Sequence, residues 1–157
     1  IDGKEIQLTD EQLKMLGIIE KEKRPFKRTY YGCNYFCISC LGDVESYCDY
    51  NDRAADAYFK AVNYFSTQPF ANQVALHQLL YRKLLKFSYE NKCADVEWNG
   101  RNNHWCIYYN PDDLKYCVAG FVSHKFDSVW FSSEDAAERA IEEVVKPFVK
   151  EHSEFAW

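Results

Sequence analysis

Seven cysteines, at positions 33, 37, 40, 48, 93, 106 and 117, are the most reactive side chains in the sequence. Three of them, Cys33-x3-Cys37-x2-Cys40, have the spacing that holds an iron–sulfur cluster in radical SAM enzymes. Such enzymes need a barrel much larger than 157 residues supply. Strand alternation also turns Cys33 and Cys37 to one face and Cys40 to the other. Adding Cys48 brings the thiols to a number that suits zinc, but without the paired C-x2-C knuckles of a zinc site. Structural thiols are the simpler assignment, so no metal and no cofactor is expected. The odd cysteine count fits a reduced, intracellular protein.

The other chemistry-bearing residues are scattered. His77, His104, His124 and His152 show no metal spacing and adjoin no nucleophile motif. Asp49-Tyr50-Asn51-Asp52-Arg53 opens like a calcium loop. Arg53 then takes the fifth position, Ala54 replaces the required Gly and Lys60 the closing Glu, so a solvated loop is expected. No phosphate-binding glycine motif is present, and the sequence gives no reason to expect an enzyme.

Binding surfaces are better represented. Trp98-Asn99-Gly100-Arg101-Asn102-Asn103-His104-Trp105 puts two indoles beside amides and a guanidinium. Trp98, Arg101, Asn103 and Trp105 therefore read either as interface anchors or as rings plugging the ends of a core. The acidic run Glu134, Glu138, Glu142 and Glu143, with the Asp-rich stretch 49–56, could imitate phosphate spacing against a protein partner. Arg24, Lys27 and Arg28, with Arg82 and Lys86, form an alternative nucleic-acid contact or else a solvated face. Formal net charge is −5 and the pI about 5.4, which weighs against general nucleic-acid binding.

The elements that must position these groups follow from a pattern written twice, 69 residues apart. Tyr35-Phe36-Cys37-Ile38 and Tyr47-Cys48 align with His104-Trp105-Cys106-Ile107 and Tyr116-Cys117. Residues 35–41 and 44–50 are expected to form a hairpin across a two-residue turn at Gly42-Asp43. Residues 104–109 and 114–122 are expected to do the same across Asn110-Pro111-Asp112-Asp113. Both registers would place Ile opposite Tyr and Cys opposite Cys, as Cys37–Cys48 and Cys106–Cys117. A third strand is expected at 58–65 in one copy and 128–131 in the other.

Each copy then enters a helix. The first, over about 69–91, follows Ser66 or Thr67 as cap and Pro69 as first-turn residue. Its apolar residues are Val74, Leu76, Leu80, Leu84, Leu85 and Phe87. The second is capped by Ser132 or Ser133 and carries Ala137, Ala140, Ile141, Val144, Val145 and Phe148, with Pro147 kinking or restarting it. Basic residues on the first helix and acidic ones on the second suggest either mutual attraction or a surface with a basic and an acidic half.

The expected fold is thus α+β. It consists of two tandem ββ(β)α repeats (29–92 and 98–157) in one domain, 29–157, with an antiparallel sheet and two main helices packed on one face. A polar lead-in, 1–28, would carry a short helix near 9–16 and the basic run 21–28. An apolar content of 47% and an aromatic content of 17% support a folded, strand-rich core. No stretch approaches the roughly 20 apolar residues of a membrane span, and no signal peptide is visible. The chain starts at Ile1 rather than Met, so residues may precede it.

The runs Tyr35-Phe36-Cys37-Ile38-Ser39-Cys40-Leu41-Gly42-Asp43-Val44-Glu45, Val62-Asn63-Tyr64-Phe65-Ser66-Thr67 and Val129-Trp130-Phe131-Ser132-Ser133-Glu134-Asp135-Ala136-Ala137-Glu138 resemble small acidic proteins encoded by phages and prophages of Firmicutes. The resemblance covers most of the chain from about residue 25. It departs at the turn, where those proteins have Asp-Ser-Asp-Gly and this chain has Ser39-Cys40-Leu41-Gly42. That family has no established activity, so no catalytic residue is implied. The resemblance implies an accessory protein in a bacterial cytoplasm. The expected function is protein binding, with a host defence component such as a CRISPR effector as the expected partner and nucleic acid as the alternative.

Overall fold

The computed structural model describes residues 24–95 and 97–157. The fold is α+β. It comprises β1 (Asn34–Ile38), β2 (Val44–Cys48), α1 (Arg53–Lys60), α2 (Gln68–Glu90), β3 (His104–Asn110), β4 (Lys115–Phe121), α3 (Glu134–Ala140), a π-helical segment over Ile141–Val145, and α4 (Lys146–Glu151). The strands form two separate antiparallel pairs, β1–β2 and β3–β4. The short helix expected near 9–16, and Lys21 and Lys23 of the basic run, lie outside the described residues.

Both hairpins differ in register from the sequence expectation. In the first, Tyr35 faces Tyr47, Cys37 faces Glu45 and Ile38 faces Val44. The cause is the turn. Ser39 N–H bonds Asp43 C=O (2.8 Å) and Gly42 N–H bonds Ser39 C=O (3.0 Å). The loop therefore has three residues and ends on Gly42 at φ +97. That left-handed glycine is spent on a bulge rather than on a two-residue turn. In the second hairpin Ile107 faces Val118, Cys106 faces Ala119 and Tyr108 faces Cys117, with Leu114 at φ 52 completing the loop. Neither expected cysteine pair is in register, and all seven thiols are free. The two hairpins therefore do not share one pairing pattern. They do share a backbone bridge, Phe36 to Phe65 and Trp105 to Phe131, each with bonds in both directions.

The third strand expected at 58–65 is replaced by the end of a helix, a turn and a single bridge residue, Phe65. Asp52 caps α1, its carboxylate accepting from Ala55 N–H at 2.8 Å, and the Ala-rich first turn propagates the helix. The helix ends in paired bonds, Asn63 N–H to Tyr58 C=O and Val62 N–H to Phe59 C=O, with Val62 left-handed at φ 56. This is the Schellman arrangement, which usually places Gly where Val62 stands. Asn63 then bonds both backbone groups of Ile38 at 2.8 Å, standing in for a neighbouring strand. Residues 128–131 form no strand and bridge through Phe131 alone, to Trp105 and Ala94.

Three apolar clusters follow. Tyr35, Cys37, Ala55 and Tyr64 pack between the first hairpin and α1. Ile38, Phe65, Ala71 and Ala75 pack between the hairpin's other face and the start of α2. The largest cluster joins Leu80, Leu84 and Phe87 of α2 to Ile107, Phe131, Ala137, Ala140, Ile141, Val145 and Phe148. Leu85, expected in that core, is exposed. Ser133 caps α3 through its hydroxyl, accepting from Ala136 N–H. The π turn, in which Lys146 N–H reaches Ile141 C=O, absorbs the donor missing at Pro147. Thr67 sits at the start of α2 without a side-chain cap bond.

One polar network ties the first half together. Asp49 is 0% exposed. Arg28 grips it bidentately, Nε to Oδ2 at 2.8 Å and Nη2 to Oδ1 at 3.0 Å, and sends Nη1 to Asp56 at 2.6 Å. Tyr64 Oη donates to Asp49 Oδ2 and Asn51 N–H to Oδ1. The Asp-rich stretch expected to be a solvated loop thus contributes a buried anion, a helix cap and an ion-pair partner.

Two outcomes follow from these features. The Arg28 guanidinium, with Asn51 N–H and the Tyr64 hydroxyl, holds the Asp49 carboxyl well below the usual carboxylate range. Its contribution to stability is therefore fully present above the unfolded carboxyl's pKa of about 4 and is lost as pH falls below that. Asp49→Asn should lose on the order of 3 kcal/mol at neutral pH and show a flatter decline than the native chain in acid, by urea titration at several pH values. Val62→Gly should instead gain about 1 kcal/mol in the same assay. Val62 is exposed, so the change relieves left-handed strain without opening a core.

Candidate functional site

Helix α2 buries nearly opposite sides in its two halves. At about 100° per residue, Ala71 and Ala75 face the first hairpin, while Leu80, Leu84 and Phe87 face the large core. The second half therefore turns the side away from the large core to solvent. Tyr81, Leu85 and Tyr89, spaced i, i+4, i+8, are 43%, 37% and 64% exposed. Arg82 and Lys86 lie beside them, both exposed. Lys86 makes a loose pair with Glu90 at 3.6 Å. Arg82 forms no ion pair among the described residues.

This stripe borders a cleft of about 410 Å³. Leu80, Leu84, Ile107, Val129 and Phe131 form apolar walls, and His77, Tyr81, Asp127 and Ser128 bring polar groups to it. A second hollow of about 320 Å³ shares His77 and Tyr81 and reaches Arg82. Trp157 lines the larger cleft because Gln73 clamps the final residues, donating to Glu154 C=O and accepting from Ala156 N–H. Phe155 thereby sits on His77 (4.8 Å) and Trp157 on Tyr116 (5.3 Å). A volume of this size suits an anchoring side chain or a small ligand.

The residues expected from sequence to form binding surfaces fall elsewhere. Trp98 turns inward, stacking on His104 at 3.7 Å and meeting Trp130 edge-on at 4.9 Å, with Lys125 over its ring. Trp105 is half-buried against the large core, its ring covering Gly120. Arg101 and Asn103 are exposed, in a loop held by Asn99, whose side chain accepts from Arg101 N–H at 2.9 Å. Glu134 and Glu138 are exposed on α3. Glu142 and Glu143 are paired within their own helical stretch, to Lys146 and Arg139. In place of the expected ion pairing between the basic and acidic helices, Arg139 Nη2 donates to the uncharged Asn91 side-chain oxygen at 3.1 Å.

The alternative nucleic-acid set is divided. Arg28 is tied to Asp49 and Asp56 and is withdrawn from any phosphate contact. Lys27 is exposed near the Tyr30 ring, and Arg24 lies in the segment whose carbonyls accept from Ser66. Only Arg82 and Lys86 of this set join the α2 stripe.

Among the described residues, no group of three or more His, Cys, Asp or Glu side chains converges as a metal-ligand set. Cys33, Cys40 and Cys48 are exposed while Cys37, Cys93 and Cys106 are buried, and burial pushes those three thiols up. The nearest approach to catalytic geometry is His104, 1% exposed, whose Nδ1 contacts the Asp95 carboxylate. Its Nε2 is buried without a partner. An Asp–His pair can act as a general base only where that nitrogen meets substrate. Here the Trp98 indole covers the ring.

Sequence reasoning did not find Tyr81, Tyr89, Asp127, Ser128 or Trp157. The i, i+4, i+8 spacing of Tyr81, Leu85 and Tyr89 was a usable signal, but assigning Leu85 to the core hid it. No family model, no curated protein and no solved structure matches this chain.

The stacking arrangement makes Trp98 a structural residue. Trp98→Ala should lower stability by about 2 kcal/mol in urea denaturation while leaving the α2 face unchanged.

Proposed function

We propose that this chain is a protein-binding module and that it engages its partner through the outer face of α2. The observation that carries the reading is the exposed stripe of Tyr81, Leu85 and Tyr89, whose Tyr81 also lines a cleft of about 410 Å³. Large rings exposed in one row, next to a pocket, are the usual makings of an interface hot spot. Arg82 and Lys86 give the stripe a positive flank, which favours an acidic surface on the partner. The resemblance to phage and prophage proteins suggests the setting: an accessory protein acting on a bacterial defence component, of which a CRISPR effector is one example. The acidic stretches support this less than the sequence suggested. Asp49 and Asp56 are spent on Arg28, and Glu142 and Glu143 on their neighbours.

Nucleic acid is the alternative occupant, since Arg82 and Lys86 alternate with rings on which bases could stack. One comparison separates the two. Native chain and a Tyr81→Ser/Arg82→Glu/Tyr89→Ser variant, both confirmed folded, are used as bait in bacterial lysate with and without nuclease. A stoichiometric protein held by the native chain after nuclease, and reduced at least about tenfold in the variant, is the expected result. A protein retained equally by the variant would overturn the assignment to this face. Recovery of nucleic acid alone would favour the alternative.

A further inference from the structure

A different surface, the outer edge of β2, has a chemistry of its own. In the first hairpin Asp49 N–H bonds Cys33 C=O and Ser39 N–H bonds Asp43 C=O. Those bonds fix the phase of the ladder: odd-numbered residues of β2 bond inward to β1, and Val44, Ser46 and Cys48 turn their backbone N–H and C=O groups away from it. On β1 the corresponding outward groups are used, by Phe65 at Phe36 and by Asn63 at Ile38. On β2, none of the described residues bonds to them. Glu45, Ser46, Tyr47 and Cys48 beside that edge are all exposed, with Tyr47 leaning on Tyr35 and Tyr58 and Val44 half-buried at the strand's start. An unblocked edge of this kind is a template for another strand. The outer strand of the second hairpin, β4, is different, being half-buried along most of its length.

The sequence of β2 specifies which strand fits. Val44-Glu45-Ser46-Tyr47-Cys48 is complementary to itself when run antiparallel about Ser46. Ser46 meets Ser46 of the second copy and exchanges both backbone bonds with it. Val44 meets Cys48 of the second copy, an apolar pair. Glu45, the only charge in the strand, meets Tyr47 of the second copy rather than another carboxylate. Tyr47 Oη already donates to Glu45 within one chain at 2.6 Å, so the pair is chemically matched on either side of the axis. Like charges opposite one another would oppose such pairing, and none occurs. Exposed rings extend the contact, with Tyr31 and Tyr50 packed edge-on at 5.6 Å beside the end of the strand.

We propose that two copies of this chain associate through β2, forming a four-stranded antiparallel sheet, β1–β2–β2–β1, about a two-fold axis at Ser46. The contact is isologous and closes on itself, so it stops at a dimer. The association rests on the β2 edge alone and not on the partner-binding reading.

Sedimentation equilibrium of the full chain under reducing conditions tests this, with two variants. The native protein should show a concentration-dependent monomer–dimer equilibrium. Ser46→Pro removes an N–H that β1 does not use and deletes both central inter-chain bonds, so it should weaken the dimer by at least about tenfold. Val44→Cys, in a background carrying Cys33→Ser and Cys40→Ser, should give a covalent dimer through Cys48 of the second copy when oxidised with glutathione disulfide. The background without Val44→Cys should not. A native chain that stays monomeric across the whole concentration range would overturn the proposal. So would a dimer that Ser46→Pro leaves intact, or one in which Val44→Cys does not cross-link.

Discussion

The first half of this protein depends on one buried ion pair. Asp49 is a carboxylate with no exposed surface, and only Arg28, Tyr64 and the Asn51 N–H make its burial tolerable. Satisfying it draws three separate pieces of chain together. Residues 24–28 lie against the hairpin, Asp49 directly follows β2, and Asp56 brings in α1. The same contacts align Tyr64 beneath Tyr35, stacked at 4.3 Å, where burial pushes the Tyr35 hydroxyl up to about 12. Phe26 then packs on Phe65 and Phe70, carrying the chain onto the start of α2.

That pairing also decides what the surface can do. Arg28 of the basic run and Asp49 and Asp56 of the acidic stretch, read as parts of two separate binding surfaces, are each other's partners. Two exposed surfaces remain free of such pairing: the aromatic stripe on the outer face of α2 and the open edge of β2. The long helix explains why. It must serve one hairpin with its first half and the large core with its second, on nearly opposite sides. The side opposite the large core is therefore covered near Ala71 and Ala75 and bare beyond them.

Much of this was legible in the residues. The α+β class, the places of both hairpins, the bounds of α2 and the core positions of the last helical stretch follow from periodicity, Pro69 and Ser133. The failures have physical causes. Gly42 signals positive φ but not the loop length that uses it, and a three-residue loop shifts the whole register. The helix over Arg53–Lys60 was missed because its end carries Val62 where a glycine would announce a Schellman turn, and its aromatic content suggested a strand. Arg28 and Asp49 stand 21 residues apart, and nothing in local sequence says that they meet. The α2 stripe was hidden by its own apolarity, because Leu85 suits a core position and becomes exposed only through the helix's change of side.

Backbone hydrogen exchange across residues 24–66 tests the organising role of the Arg28–Asp49 pair most directly. The N–H groups of Gly32, Asp49 and Ser66, which bond Asp49, Cys33 and Pro25 carbonyls, should be protected together in the native chain. They should lose that protection together in Asp49→Asn, while β3, β4 and the final helix keep theirs. Free exchange at Gly32, Asp49 and Ser66 in the native protein would contradict the account. So would an Asp49→Asn variant that leaves all three protected.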